Sequence, residues 1–580
     1  MRGHRGYSVF HVFMRWLSGC AAIALMALPP FAALGQDENL WEQRPGGRNL
    51  TAPDYARPVL VLPGLPAPEP SLEPPLSVRE RVFVRRFDLS GNTVFGREEL
   101  ATVTAPYENR TLSAEELQEA RRQLTLYYVE RGYLNSGAVI PDQRVEDGVV
   151  RIHIVEGRLS AIDISGNTYL RADYLQDRLQ PDVEEPLNVL RLQERLQLLQ
   201  QNPRIEQLQA ELAPGVQPGE GRLRLGIREA RPYEIGLAVA NNNPPSVGAT
   251  RAYLYGLDRN LSGVGDTLGL NYGHSLESSG TADWRAFYAR PLNARDTTVQ
   301  VWAERNDTSV IEDRFSALDI VSELQSYGIA LTHSLYRTPR RNLSLGVNLE
   351  WRHSESFLLG IPFSFAPGEN NGEATVTVAR FIQEWLDRGL NQVIAARSTL
   401  SVGLDAFGAT VGDRNPDGRF VSWLGQFQWA RRFGERDEQL LFKSILQLAS
   451  DPLLSMEKCA LGGMETVRGY PENTLVRDRC FVASLEFRTP VYRLPLPGVS
   501  RGPHEGQVQL AVFADYGYAK NKGEFDLEPN SISSAGAGIR WDASDKVQAA
   551  LYWGYPFRDV NTGEEAWAGS RVNFFVQAAY

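Results

Sequence analysis

Two cysteines bracket the stretch "CALGGMETVRGYPENTLVRDRC", Cys459 to Cys480. Inside it stands Val467-Arg468-Gly469-Tyr470. Such residues are suited to holding a structure in place. A guanidinium is a planar fork that can take a carboxylate by two parallel hydrogen bonds. Gly469 permits tight backbone beside the fork. Tyr470 can pack its ring and still place its hydroxyl in water. Residues arranged for bond breaking are harder to find. The seven His are scattered, and there is no H-E-x-x-H, C-x-x-C, G-x-S-x-G or P-loop pattern. No enzyme, metal site, cofactor or nucleotide site is expected. A net charge of -10 argues against nucleic acid, whose phosphates need a basic surface.

The segments around this stretch have the period of strands. In "VQLAVFADYG", Val508, Leu510, Val512 and Ala514 share one face, while Gln509, Ala511, Phe513 and Asp515 share the other. In "FVASLEFRT", Phe481, Ala483, Leu485 and Phe487 oppose Ser484, Glu486 and Arg488. In "RVNFFVQAAY", Val572, Phe574, Val576 and Tyr580 oppose Arg571, Asn573 and Gln577. Similar segments, separated by Gly, Asn, Asp and Pro, fill 233–580. A soluble sandwich also alternates. The length of the region and the aromatic residues on the apolar faces favour a transmembrane barrel with a wet lumen. Spanning strands of ~9–11 residues plus loops fit this length, and 14, 16 or 18 strands are all compatible with it. Glu486 and Arg488 then read as ordinary lumen lining.

The N-terminal part is built differently. Residues 1–35 read as a signal peptide: Arg2, Arg5 and Arg15, an apolar run from Trp16 to Leu28, then small residues with cleavage near Gly35. Leu17-Ser18-Gly19-Cys20 imitates a lipid-attachment site, but its apolar run follows the cysteine instead of preceding it. Residues 36–79 are a Pro-rich linker, with a weak signal for a plug helix at "ENLWEQ". Export makes the compartment oxidising. With Cys20 removed, Cys459 and Cys480 are an even pair that can form a disulfide, or stay as two free thiols.

"FDLSGNT" (Phe87 to Thr93) returns as "IDISGNT" (Ile162 to Thr168). At the same offset, Leu112-Ser113 meets Leu187-Asn188, Leu117 meets Leu192, and Leu124 meets Leu199. A duplicated α+β unit is expected, 80–157 and 158–231, each of order β-α-α-β-β. In the first copy "VFVRRFDLSGN" reads as one strand. Ser113 and Glu116 form a capping box, and the following helix places Leu117, Ala120, Leu124 and Tyr127 on its core face. In the second copy Asn188 is the cap and Leu192, Leu196 and Leu199 the core. Small sheets with an open edge can accept an extended peptide.

Duplicated units, then "NLSGVGD" (Asn260 to Asp266), the V-R-G-Y stretch and an F-x-D-x-G strand (Phe513, Asp515, Gly517), occur here in that order. Together they resemble the two-partner secretion transporters, the haemolysin secretion/activation family, over residues 80–580. That family shares a superfamily with the general barrel assembly factors. The resemblance implies two periplasmic polypeptide-transport-associated (POTRA) domains and a 16-stranded antiparallel barrel, 232–580, in the bacterial outer membrane. It implies that a loop near 455–480 folds back into the lumen, where Arg468 pairs with Asp515. Such pairs are expected to be partly solvated and to contribute only ~0–1 kcal/mol. A disulfide is not typical of the family at this place; it would add roughly 3 kcal/mol. Barrels of this membrane usually end on Phe, where this chain has Tyr580. The function implied is secretion of an exoprotein client, adhesin- or haemolysin-like, bound as an extended chain by the POTRA domains. Further partners implied are outer-membrane lipid and the barrel assembly machinery during biogenesis; the chain is expected to be a monomer. The alternatives are an assembly factor for other barrels and a passive porin.

Overall fold

The repeated S-G-N-T turn is the corner on which each N-terminal unit is built. In the computed structural model, which describes residues 81–179, 186–312, 315–412, 416–434, 436–502, 505–523, 528–560 and 571–580, Gly91 and Gly166 both have positive φ, +83° and +82°. A Cβ at either would lie 2.3 Å from the Ile154 carbonyl oxygen or 2.1 Å from that of Ile227. Only glycine lets the turn sit so close to the neighbouring strand. The next residue closes the turn: Asn92 Nδ2 donates to the Phe95 carbonyl (2.8 Å), and Asn167 Nδ2 to that of Leu170 (3.1 Å). The signal peptide, the linker, the plug-helix segment and Cys20 lie outside the described residues.

A carboxylate then collects the exposed amides of each turn. Glu156 Oε1 accepts from the N–H of Thr93 (2.8 Å) and Val94 (2.9 Å), and Oε2 takes the Thr93 hydroxyl. Glu229 accepts from the N–H of Thr168, Tyr169 and Leu170 at 3.1, 2.7 and 3.0 Å. Glu156 directly follows the central strand of its sheet and Glu229 ends that of the other, so each clamp joins first strand to last. Burial alone would raise the Glu156 carboxyl. The hydrogen bonds from Thr93 and Val94 outweigh it and hold the group below its ordinary value. Tyr128, which donates to the same oxygen at 2.8 Å, is pushed up by burial and by that bond.

The first unit has strand Arg86–Ser90, helices Arg97–Thr104 and Ala114–Glu130, and strands Gly137–Val139 and Val149–Val155. Val149–Val155 is central, parallel to Arg86–Ser90 and antiparallel to Gly137–Val139. "VFVRRFDLS" is not one strand. It breaks at Arg85, whose N–H goes to the Gly148 carbonyl (2.7 Å), and Val82–Val84 pairs instead with Arg110–Leu112. The long helix begins at the Ser113–Glu116 capping box. Ala120, Leu124 and Tyr128 are its buried residues, and Leu117 and Tyr127 pack partly buried against the same core. Tyr127 stays half-buried, with the Arg131 guanidinium 3.5 Å over its ring. The second unit has strand Arg158–Ser165, helices Ala172–Leu179 and Val189–Gln200, and strands Ile205–Pro214 and Glu220–Glu229, the last again central. Asn188 caps the longer helix, which buries Val189, Leu192, Leu196 and Leu199.

The chain divides into compact units between Arg231 and Pro232. Beyond that point, 16 antiparallel strands from Tyr233–Ala240 to Val572–Ala579 close into a barrel, the last strand pairing with the first from Phe575↔Ala240 to Ala579↔Gly236. Ile361–Pro362 adds a short pairing to one edge. Alternation is inverted relative to a soluble protein. On Gln507–Lys520, Leu510, Val512, Tyr516 and Tyr518 are exposed outward while Gln509, Phe513 and Asp515 are buried inward. Polar groups inside and apolar groups outside are what a lipid surround and a filled lumen require. Several strands exceed the spanning length: Ile320–Arg337 and Arg341–Leu358 each have 18 residues.

Candidate functional site: a loop pinned inside the barrel

Strand Glu438–Ala449 leads into a loop that returns to the wall at Arg479–Arg493. Within the loop, Cys459–Leu461 and Leu475–Arg477 pair as a small antiparallel hairpin. Its base is closed by a disulfide between Cys459 and Cys480. Its tip is closed by Gly463 N–H to the Tyr470 carbonyl (3.0 Å) and by Met464 N–H to Glu472 Oε1 (3.2 Å).

Arg468 projects from this tip onto the wall. Its Nε donates to Asp515 Oδ2 at 2.8 Å and its Nη2 to Asp515 Oδ1 at 2.9 Å, the two-pronged geometry of a fork on a carboxylate. Its backbone N–H adds a third bond to Oδ2, 3.0 Å. Nη1 donates to Glu486 Oε2, and Nη2 also donates to Ser484 Oγ (3.1 Å), which itself donates to Asp515 (2.7 Å). The Phe513 ring lies 3.6 Å beneath the guanidinium, and the Tyr552 ring centre is 5.0 Å away. Tyr552 OH donates to Glu486 Oε1 at 3.0 Å.

The remaining motif residues shape the seat. Val467 is wholly buried. A Cβ on Gly517 would come within 2.7 Å of Leu461 and 2.9 Å of Val467, so the third motif position of the strand must be bare. Gly469, at φ +85°, lies backbone to backbone against Gly554; a Cβ there would meet the Gly554 carbonyl oxygen at 2.7 Å. All seven motif residues, Val467, Arg468, Gly469, Tyr470, Phe513, Asp515 and Gly517, thus meet at one place.

Three expectations are corrected. Arg468, Asp515 and Glu486 are 5%, 3% and 6% exposed, so the ion pair is buried and not partly solvated. Removing one partner of such a pair strands a desolvated charge and costs on the order of 3–5 kcal/mol, well above the surface range. Glu486 is a ligand of Arg468 and not ordinary lining. Tyr470 does not offer its hydroxyl to open water: it donates to the carbonyls of Arg558 (2.9 Å) or Ser533 (3.1 Å) and accepts from the Arg558 N–H (3.1 Å). Sequence reasoning had Glu486 on the correct face. What it lacked was the register, Ser484↔Asp515 and Glu486↔Phe513, which puts both carboxylates around one guanidinium.

"NLSGVGD" folds as a self-bonded turn: Asp266 accepts from Ser262 N–H (2.9 Å) and Tyr288 OH (2.8 Å), and Asn260 from Gly265 N–H (2.9 Å). Tyr288 stands on the neighbouring strand Ala282–Pro291, so the turn is tied to the wall beyond its own hairpin.

Comparison with known proteins gives the same order of parts. Residues 219–541 match the family model "Haemolysin secretion/activation protein ShlB/FhaC/HecB", and residues 82–157 match "POTRA domain, ShlB-type". The outer membrane transporter CdiB of Dickeya dadantii is 23% identical over 82% of this chain and 83% of its own length. The hemolysin transporter protein ShlB of Serratia marcescens is 23% identical over 67% and 69%. Among solved structures, CdiB from Escherichia coli superposes with a TM-score of 0.67 at 20% identity, covering 90% of this chain and 94% of that one. BamA from Haemophilus ducreyi, lacking POTRA domains 1–3, shares the fold at 0.51 and 15%, covering 86% and 100%.

Proposed function

We infer that this chain, which belongs to the haemolysin secretion/activation protein family, is an outer-membrane translocator that exports a protein client through its barrel. The observation that carries the reading is the loop inside the lumen, held by a buried charge cluster. A passive pore has no use for a plug pinned by Arg468, Asp515 and Glu486. The lock fixes the closed loop, and passage of a client requires it to yield. The role is transport and not catalysis.

The client is a secreted exoprotein taken up as an extended chain. Strand addition suits the second unit, whose edge strand Ile205–Pro214 is ten residues long and borders the helix Val189–Gln200. In the first unit the corresponding edge, Gly137–Val139, is only three residues long and offers less. The transporter acts as a monomer, surrounded by outer-membrane lipid and inserted by the barrel assembly machinery.

The test is depletion of the chain followed by proteomics of the culture supernatant and the outer-membrane fraction. Loss of one or two large secreted proteins, with the membrane fraction unchanged, is the expected result and identifies the client. A broad loss of barrel proteins would instead make the chain an assembly factor, and no change in either fraction would leave a pore.

A further inference from the structure

The loop is held at a second place, with the charges reversed. Glu457, in the turn Ser455–Glu457 that precedes the disulfide, reaches strands Arg341–Leu358 and Glu373–Arg388. Its Oε1 lies 3.0 Å from Arg352 Nη1 and 2.9 Å from Arg380 Nη2, and its Oε2 is 3.1 Å from the same Arg380 nitrogen. Arg352 Nη1 also donates to the Met456 carbonyl at 2.6 Å. The wall also supplies Glu350, 3.6 Å from Arg380 and itself accepting from Ser326 Oγ (2.9 Å). The three wall residues are 3% exposed or less, and the Glu457 side chain 7%. Leu453, Leu454 and Met456 pack beside the cluster against Val376, Val378 and Phe420.

The two clusters seize different sectors of the wall. Three strands, Gln392–Leu404, Val421–Phe433 and Glu438–Ala449, separate the Glu457 partners from Arg479–Arg493, where the Arg468 partners begin. One anchor is a loop cation on wall anions, and the other a loop anion on wall cations. Cys459, two residues after Glu457, is bonded to Cys480 on the wall strand. Glu457 and the disulfide therefore hold the base of the hairpin, and Arg468 holds its tip.

We propose that Glu457 is a second, independent latch that fixes the fulcrum of the loop, so that release of Arg468 swings the hairpin about its base without freeing it from the lumen. Withdrawing Glu457 takes from two buried guanidinia the carboxylate they share, which makes the closed state depend on it. Full displacement of the loop requires both latches to open. This gives the translocator reading its order of events, but it is testable without a client.

The full chain is measured in planar lipid bilayers as wild type, Arg468→Ala, Glu457→Gln and the double variant. Two latches in series predict brief or partial openings for each single variant. They predict long, full-conductance openings for the double variant, with an open fraction about tenfold above either single one. The proposal is overturned if the double variant conducts like Arg468→Ala alone. Heat-modifiable mobility checks assembly. Should Glu457→Gln fail it, Arg380→Gln takes its place in the series, and failure of both shows that the cluster supports the barrel and not the loop, which also overturns the proposal.

Discussion

The turn clamps of the N-terminal units and the lock of the barrel loop solve one problem in two ways. In both, a carboxylate gathers backbone N–H groups: Glu156 from Thr93 and Val94, Asp515 from Arg468. Among the described residues, the Glu156 clamp has no cationic hydrogen-bond partner. Its donors are amides and hydroxyls supplied by a turn and a helix of its own unit. The lock adds a guanidinium shared between two wall strands and a loop. A clamp without a counter-ion is a local fixture that forms whenever its unit folds. A buried ion pair costs much to desolvate, and it is strong only while every partner is in place. The first arrangement suits permanent structure, and the second loses its strength as a whole once any one partner leaves.

The largest break in this comparison is at the lock. Arg468→Ala is expected to abolish secretion while leaving a heat-modifiable barrel in the outer membrane; undiminished export by that variant would remove the role given to the loop. Arg468→Lys sharpens the same point. A lysine keeps the charge but not the fork, so it loses one of the two side-chain bonds to Asp515 and cannot also reach Ser484 and Glu486. Secretion should fall at least several-fold, and a near-normal yield would show that charge alone suffices.

A smaller effect is expected at the base of the hairpin. Cys480→Ser removes a cross-link that contributes roughly 3 kcal/mol to holding the two legs together. Limited proteolysis of the intact protein should then cut within the loop sooner than in wild type, with the barrel strands unaffected. Equal protection in the two proteins would mean that the charge clusters hold the loop without the bridge.

The smallest is at the clamp. Glu156→Gln should loosen the first unit by about 1–2 kcal/mol, allowing for the group's partial exposure, and leave the second unit as it was. Hydrogen exchange at the Thr93 and Val94 amides reports it directly. The pH dependence has a definite sign. Because the folded carboxyl is held below its unfolded value, its contribution is present above the ordinary glutamate range near 4.3 and is lost as pH falls through the lower folded value. Protection of these two amides that did not change between pH 6 and the acid limit of folding would contradict the clamp.

What was legible in the sequence follows the reach of each interaction. The capping box at Ser113 and Glu116, the cap at Asn188, the core positions Leu192, Leu196 and Leu199, and the two faces of Gln507–Lys520 all depend on residues a few positions apart. Helix and strand periods therefore reveal them. The heptads were legible as a repeat, and a glycine at positive φ with an asparagine after it is a local turn. Their partners Glu156 and Glu229 were not, being about 60 residues further along the chain. The break at Arg85 was hidden for the same reason, because the bond that splits the strand comes from Gly148.

At the lock, the types of residue were determined by the sequence and the company they keep was not. Arg468 and Asp515 could be named from their motifs, and the side of the strand that holds Asp515 from alternation. Three things belong to the tertiary structure alone: that the pair is buried, that Glu486 completes it, and that Glu457 binds Arg352 and Arg380 more than 75 residues away. Barrel closure sets the register between neighbouring strands, and the route of the loop across the lumen decides which sector each charge meets. Neither leaves a periodic trace in the chain, because a residue's neighbour across a sheet is fixed by loop lengths and pairing, not by its own type.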